Sequence, residues 1–157
     1  LEEINWAVLW MVAGGFALGV ALNETGLAAN LINAIPFNTW PVLAVLIGSG
    51  VICYTLSNFI SNTATAALLV PILAVVGKSM TAELAPIGGV ACLLIGIAVA
   101  ASVAMILPIS TPPNALAHGT GMIEQKYMAK SGLIMGIIGL VLGYVMLVLL
   151  GSIGFFG

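Results

Sequence analysis

The sequence predicts an all-α membrane protein made of transmembrane helices, a re-entrant helical hairpin and a discontinuous helix. Three observations predict this class. The 157 residues are 62% hydrophobic and only 5% charged, whereas soluble domains carry roughly 25% charged residues. The apolar runs approach the length of about 20 residues that a helix needs to cross a bilayer. Two polar clusters interrupt those runs: Ser57-Asn58-Phe59-Ile60-Ser61-Asn62-Thr63 and Pro108-Ile109-Ser110-Thr111-Pro112-Pro113-Asn114. Hydrocarbon tolerates clustered hydroxyls, amides and open backbone only where they line a cavity in protein. Each cluster therefore marks a polar site at membrane depth.

Taken in order, residues 5–22 form a run of spanning length, closed by Asn23-Glu24-Thr25-Gly26. A short amphipathic connector follows and leads into Pro36-Phe37-Asn38. The second run, 40–56, stops at the first polar cluster. The third, 65–76, is too short to cross alone, and runs of about 10–14 residues are more often re-entrant or buried. Joined, the two predict a hairpin over 40–76 whose tip, 57–64, ends partway through the membrane. After a polar connector at 77–83, an apolar stretch over 86–107 breaks at the second cluster, and a half-helix resumes at 112–121. Together these make a broken helix over 85–121. Residues 122–130, with Glu124, Lys126 and Lys130, read as a solvated loop before a last span at 131–150.

Charge and cysteine usage exclude several classes. The formal charge is -2, from five acidic residues against three lysines, so no basic face exists for nucleic acid. Lys126 and Lys130 against Lys78 place the 122–130 loop in the cytoplasm by the positive-inside rule. Cys53 and Cys92 lie in apolar runs and read as free packing thiols. No His or Cys pair has metal-ligand spacing, and no nucleophile–base pair suggests an enzyme. The tip also lacks the repeated glycine-carbonyl ladder of a potassium filter. Trp6, Trp10 and Trp40 fit interface anchors or lipid contacts. His118 reads as a packing or interface residue, with proton coupling as its second reading. Gly132, Gly136, Gly139 and Gly143 share one helix face, as do Gly96, Ala100 and Ala104. Small residues so spaced let helices approach closely in lipid.

The chemistry lies in the two clusters. A helix ending near Ser57 leaves its last carbonyls without partners, and one starting near Thr63 leaves its first amides free. Carbonyl ends are partly negative and amide ends partly positive. A cation and an anion can thus be held on either side of one tip. Ser61, Asn62 and Thr63 are suitable N-cap types that offer oxygens to a cation and donors to an anion. In the second cluster Pro108, Pro112 and Pro113 lack amide hydrogens. In a helical register the carbonyls of Ala104, Pro108 and Ile109 would lose their donors and become ligands for a hard cation such as sodium. Thr111 before Pro112 reads as an N-cap with proline at the first helical position. Half-helices of this kind at a midplane site are a mark of secondary transporters.

Residues 57–63, continued by Ala64-Thr65-Ala66-Ala67-Leu68-Leu69-Val70-Pro71, resemble the second signature hairpin of the divalent anion/sodium symporter family. Leu107-Pro108-Ile109-Ser110-Thr111-Pro112-Pro113-Asn114-Ala115 is similar to that family's unwound helix, and Gly14-Gly15-Phe16-Ala17-Leu18 with Thr25-Gly26-Leu27-Ala28 fits the helix upstream. The resemblance covers essentially the whole chain, as most of the second of two inverted repeats. It implies half of an elevator-type, sodium-driven carrier of di- or tricarboxylates such as succinate or citrate, or of sulfate. Such a carrier is a multi-pass protein of the cell (inner) membrane and a homodimer, completed by the first repeat. Residues 1–37 would belong to the scaffold and 38–157 to the mobile transport part. The substrate would meet Ser61, Asn62, Thr63, Thr111 and Pro112. Sodium would be held by Ser57, Ile60, Asn62 and Ser110, in part through backbone oxygens. The family pattern has Thr-Glu-Phe where this chain has Ser57-Asn58-Phe59, so a hydroxyl is kept and a carboxylate lost. A carrier of another anion, an exchanger, and a half-size protein pairing with an inverted copy are the alternatives.

Overall fold

A computed structural model describes residues 39–156 and, before them, residues 6, 9, 10, 13, 14, 17, 20, 21, 24–26, 30, 34 and 36. The expected span over 5–22 and the scaffold boundary at 37 lie largely outside the described residues. The described elements are helical: α1 (Val42–Phe59), α2 (Asn62–Ser79), α3 (Thr81–Leu84), a 3-10 turn (Ala85–Ile87), α4 (Gly89–Ser102), α5 (Pro112–Gly119) and α6 (Gln125–Ser152).

Three of these helices, α1, α2 and α6, are long and apolar enough to cross a membrane, with mean hydropathies of 1.8, 1.3 and 2.8. A fourth span arises if the segments Thr81–Ile87 and Gly89–Ser102, bent by 70°, are counted as one. The bend sits at Gly88 and Gly89, whose φ values of +98° and +67° suit glycine alone. Gly88 also approaches Gly151, since a Cβ there would lie 3.0 Å from the Gly151 Cα.

The hairpin is longer than its apolar runs suggest. Helix α2 takes in Asn62 and Thr63 at one end and Gly77, Lys78 and Ser79 at the other, making 18 residues. At about 1.5 Å per residue that is roughly 27 Å. Residues 65–76 are thus part of a helix long enough to cross. An apolar run measures the stretch that prefers hydrocarbon, and polar ends with caps extend the helix past it. The same reasoning corrects the loop at 122–130: α6 begins at Gln125, not 131, and runs 28 residues. Its first turn carries a Lys126–Glu124 ion pair in which both side chains are 65% exposed. The apolar stretch over 86–107 is shorter as helix than expected, because α4 stops at Ser102. Residues 103–111 form a non-helical break before α5.

Helix α4 is the centre, packed against α1, α2 and α6. Leu46, Leu69, Leu73, Cys92, Leu93, Ile97 and Ala100 are wholly buried there. Both cysteines are free and buried. Cys53 Sγ donates to Ile97 O at 3.4 Å and Cys92 Sγ to Leu147 O at 3.8 Å. Trp40 packs on this core over Gly48, whereas Trp6 and Trp10 are exposed.

The glycine stripe on α6 lets its neighbours approach closely. A Cβ at Gly132 would collide with the backbone of Met105 and Ile106, at Gly136 with the Tyr54 ring and at Gly143 with Val99, and at Gly139 it would press on Val103. The contact is reciprocal across α1 and α6: Tyr54 fills the notch at Gly136, and Tyr144 fills the notch at Gly50. Outward, α6 shows Leu133, Ile134, Ile137, Ile138, Val141, Leu142 and Val145. A surface this apolar, on helices of spanning length, belongs to an integral membrane protein.

Candidate functional site

The hairpin tip is reduced to Ile60 and Ser61 between α1 and α2. Ile60 is extended, with φ -118° and ψ 166°, and its N–H closes α1 by donating to Leu56 O at 2.9 Å. Ser61 is the N-cap of α2: its Oγ accepts from Ala64 N at 3.1 Å. Asn62 is the first helical residue, and its Oδ1 is buried without a hydrogen-bond partner. Thr65, one turn on, likewise has a buried Oγ1 lacking a partner. Asn62 and Thr63 line an open cleft of about 510 Å³ whose far wall is Ala98, Ala101 and Ser102 of α4.

The break is held by side chains from outside it. Asn58, in the last turn of α1, accepts from Ile106 N through Oδ1 at 2.8 Å and donates to Tyr54 O through Nδ2 at 2.8 Å. Ser110 donates its hydroxyl to Asn58 O at 3.2 Å and accepts from Leu107 N at 3.2 Å. Thr111 caps α5 as its sequence suggests, accepting from Asn114 N at 3.3 Å. The Asn114 amide donates to Met105 O at 2.9 Å. Pro112 opens α5 and is exposed. The expected loss of donors at the carbonyls of Ala104, Pro108 and Ile109 does not arise in the form foreseen. The chain has already left the helix at Ser102, and Asn58 and Asn114 hold the break in another shape with Gly132 packed close against it.

Among the expected cation ligands, the structure brings the end of α1 directly to Ser110. Ser57 and Ser110 are 0% and 3% exposed and Ile60 is 5% exposed. Ser57 Oγ turns toward Cys53 Sγ at 3.9 Å. The residues expected to meet the substrate divide into two groups: Ser61, Asn62 and Thr63 start α2, and Thr111 and Pro112 start α5. Among the described residues no hydrogen bond joins the two groups. Both are helix N-termini, but only α2 has free amides to offer an anion: α5 opens with Pro112 and Pro113, and its Asn114 N–H is taken by Thr111.

In chemical type these oxygens suit a hard cation. Sodium takes hydroxyl, amide and backbone oxygens, and the unpartnered Asn62 Oδ1 is one such donor. Among the described residues no group of three or more His, Cys, Asp or Glu could hold a metal ion. His118 joins the end of α5 to the following turn, with Nδ1 3.2 Å from Ile123 O.

Sequence reasoning missed Asn58 and Asn114 as organising residues. Their signal was present: an amide in the last turn of one apolar helix and another in the first turn of the half-helix. A buried amide must find partners, and the nearest open backbone was the break.

Comparison with known proteins agrees with this architecture. Residues 2–154 match the family described as sodium:sulfate symporter transmembrane region. A protein of Haemophilus influenzae named only as an uncharacterized transporter is 37% identical over 139 residues, 87% of this chain and 29% of that protein. The Na(+)/dicarboxylate cotransporter 3 of Rattus norvegicus is 34% identical over 147 residues, 90% of this chain and 23% of its own length. The sodium-dependent dicarboxylate transporter SdcS of Staphylococcus aureus is 35% identical over 156 residues, 96% of this chain and 29% of its own. The chain thus spans less than a third of the length of these relatives.

Proposed function

The chain belongs to the sodium:sulfate symporter family, and from that premise we propose that it forms part of a sodium-coupled secondary transporter of divalent anions. The family and the named relatives are transporters, not enzymes. Dicarboxylates are the favoured cargo, since relatives from bacteria and mammals carry that word in their names. The cell membrane is its place, and the rest of the transporter supplies the other half of the site.

The observation that carries this reading is the union of the two polar interruptions through Asn58 and Ser110, in a chain that is otherwise apolar. Neither cluster contains Lys, Arg or His. Desolvating an unpaired dianion is prohibitive, so its neutralising charge must arrive with it. Sodium held by Ser57, Ile60, Asn62 and Ser110 supplies that charge, and the amide end of α2 adds to it. Binding of sodium first, at the α1 end, creates the field that the anion then enters beside Ser61, Asn62, Thr63, Thr111 and Pro112. The hairpin, break and α6 then carry both as one body past a dimeric scaffold, the elevator motion.

The test is uptake of radiolabelled succinate by the full-length protein in liposomes, with and without a sodium gradient, competed by citrate and sulfate. The expected result is sodium-dependent uptake inhibited by one class of dianion. Equal succinate uptake with and without sodium sinks the coupling.

A further inference from the structure

Asn58 is 3% exposed, and a polar group so buried must be satisfied. It makes three bonds. Nδ2 donates to Tyr54 O at 2.8 Å, Oδ1 accepts from Ile106 N at 2.8 Å, and the main-chain oxygen accepts the Ser110 hydroxyl at 3.2 Å. The first bond fixes the second. With Nδ2 committed to a carbonyl of its own helix, Oδ1 alone faces the break. The reverse orientation would set oxygen against oxygen at Tyr54 and donor against donor at Ile106. The same stretch is gripped from two further sides. Asn114 of α5 donates to Met105 O at 2.9 Å. A Cβ at Gly132 of α6 would lie 2.9 Å from the Ile106 Cα. Residues 105–107 are therefore held from α1, α5 and α6, and only the α1 grip also reaches Ser110.

We propose that Asn58 is a positioning residue for ion coupling: it fastens the break to the end of α1, so that Ser110 and the hairpin tip keep one relative geometry. The inference rests on the sodium-coupled reading above and adds a residue to it. An amide suits the position because it must donate along its own helix and accept across the gap at once. A carboxylate would only accept, and an aliphatic side chain would do neither.

Hydrogen–deuterium exchange on the full-length protein, read with its sodium response, tests this. Asn58→Leu keeps the shape of the side chain and removes both amide bonds. It should speed exchange in a peptide covering 103–111 by about tenfold while leaving 140–152 unchanged. It should also raise the sodium concentration that protects 103–111 by about tenfold. Asn58→Asp keeps an acceptor for Ile106 but loses the donor to Tyr54 O and buries a carboxylate, so it too should loosen 103–111. Asn114→Ala, which opens the grip from α5, should loosen the same peptide. Unchanged exchange at 103–111 in Asn58→Leu overturns the proposal, and so does an equal rise across the chain, the mark of general destabilisation. If sodium fails to protect the wild-type protein while Asn58→Leu still loosens 103–111, the sodium reading falls and the fastening stands.

Discussion

The tip at Ile60 and Ser61 and the break at 103–111 both interrupt helices in an apolar chain, by opposite means. The tip is short and satisfied locally: Ile60 N reaches back to Leu56 O, and Ser61 caps the turn ahead of it. The break is long and satisfied largely from a distance: Asn58 and Asn114 reach in from α1 and α5, and within it Ser110 closes only on Leu107. The tip therefore depends on its own sequence, and the break on the assembled tertiary structure. Disturbing the packing should ruin the break first. Disturbing the caps should weaken the tip alone.

The largest effect expected is from Gly132→Val. Its side chain would enter the backbone of Met105 and Ile106, and overpacking of this kind costs about 1–3 kcal/mol or more. Loss of folded protein in fluorescence-detected chromatography is the expected outcome. Normal yield and normal uptake would show that the break is softer than its contacts imply. Next, Asn62→Ala removes the unpartnered buried oxygen at the tip. Loss of a ligand to an ion is comparable to loss of a charged hydrogen bond, about 1.5–3 kcal/mol. Sodium half-saturation should rise about tenfold or more in flux assays, with the protein still stable.

Ser110→Ala deletes the donor to Asn58 O and the acceptor for Leu107 N. A cost of about 1–3 kcal/mol for buried groups left unpaired predicts both weaker sodium dependence and a lower melting temperature. That double signature would separate the break from the tip, where Asn62→Ala changes the first alone. Ser61→Ala should cost about 1 kcal/mol of stability through the lost cap, measured as a modest drop in melting temperature. Smallest of all, Lys126→Ala should change stability by less than about 1 kcal/mol, because its ion pair with Glu124 is largely exposed. A larger shift there would mean that the start of α6 bears on the break after all.

What could be read in the sequence follows the same division. The caps at Ser61 and Thr111 were legible because capping is local: a residue type, its spacing and the next few amides decide it. The glycine stripe on α6 was legible from spacing, and each of its four members meets a neighbour closely. The end of α4 was not. Residues 103–107 are Val-Ala-Met-Ile-Leu, an apolar run in which only the following Pro108 opposes the helix, at Ala104 and Leu107. It leaves the helix as early as Ser102, where amides on α1 and α5 offer the break other partners and Gly132 of α6 leaves it room. Helix ends at Gln125 and Ser79 were misplaced for a simpler cause: hydropathy records where lipid begins, while hydrogen bonding continues into water.

The paired tyrosine notches between α1 and α6 have a mechanical consequence. Tyr54 sits where α6 has Gly136, and Tyr144 sits where α1 has Gly50. Two pegs in two sockets, pointing in opposite directions, oppose lengthwise slip of either rod against the other.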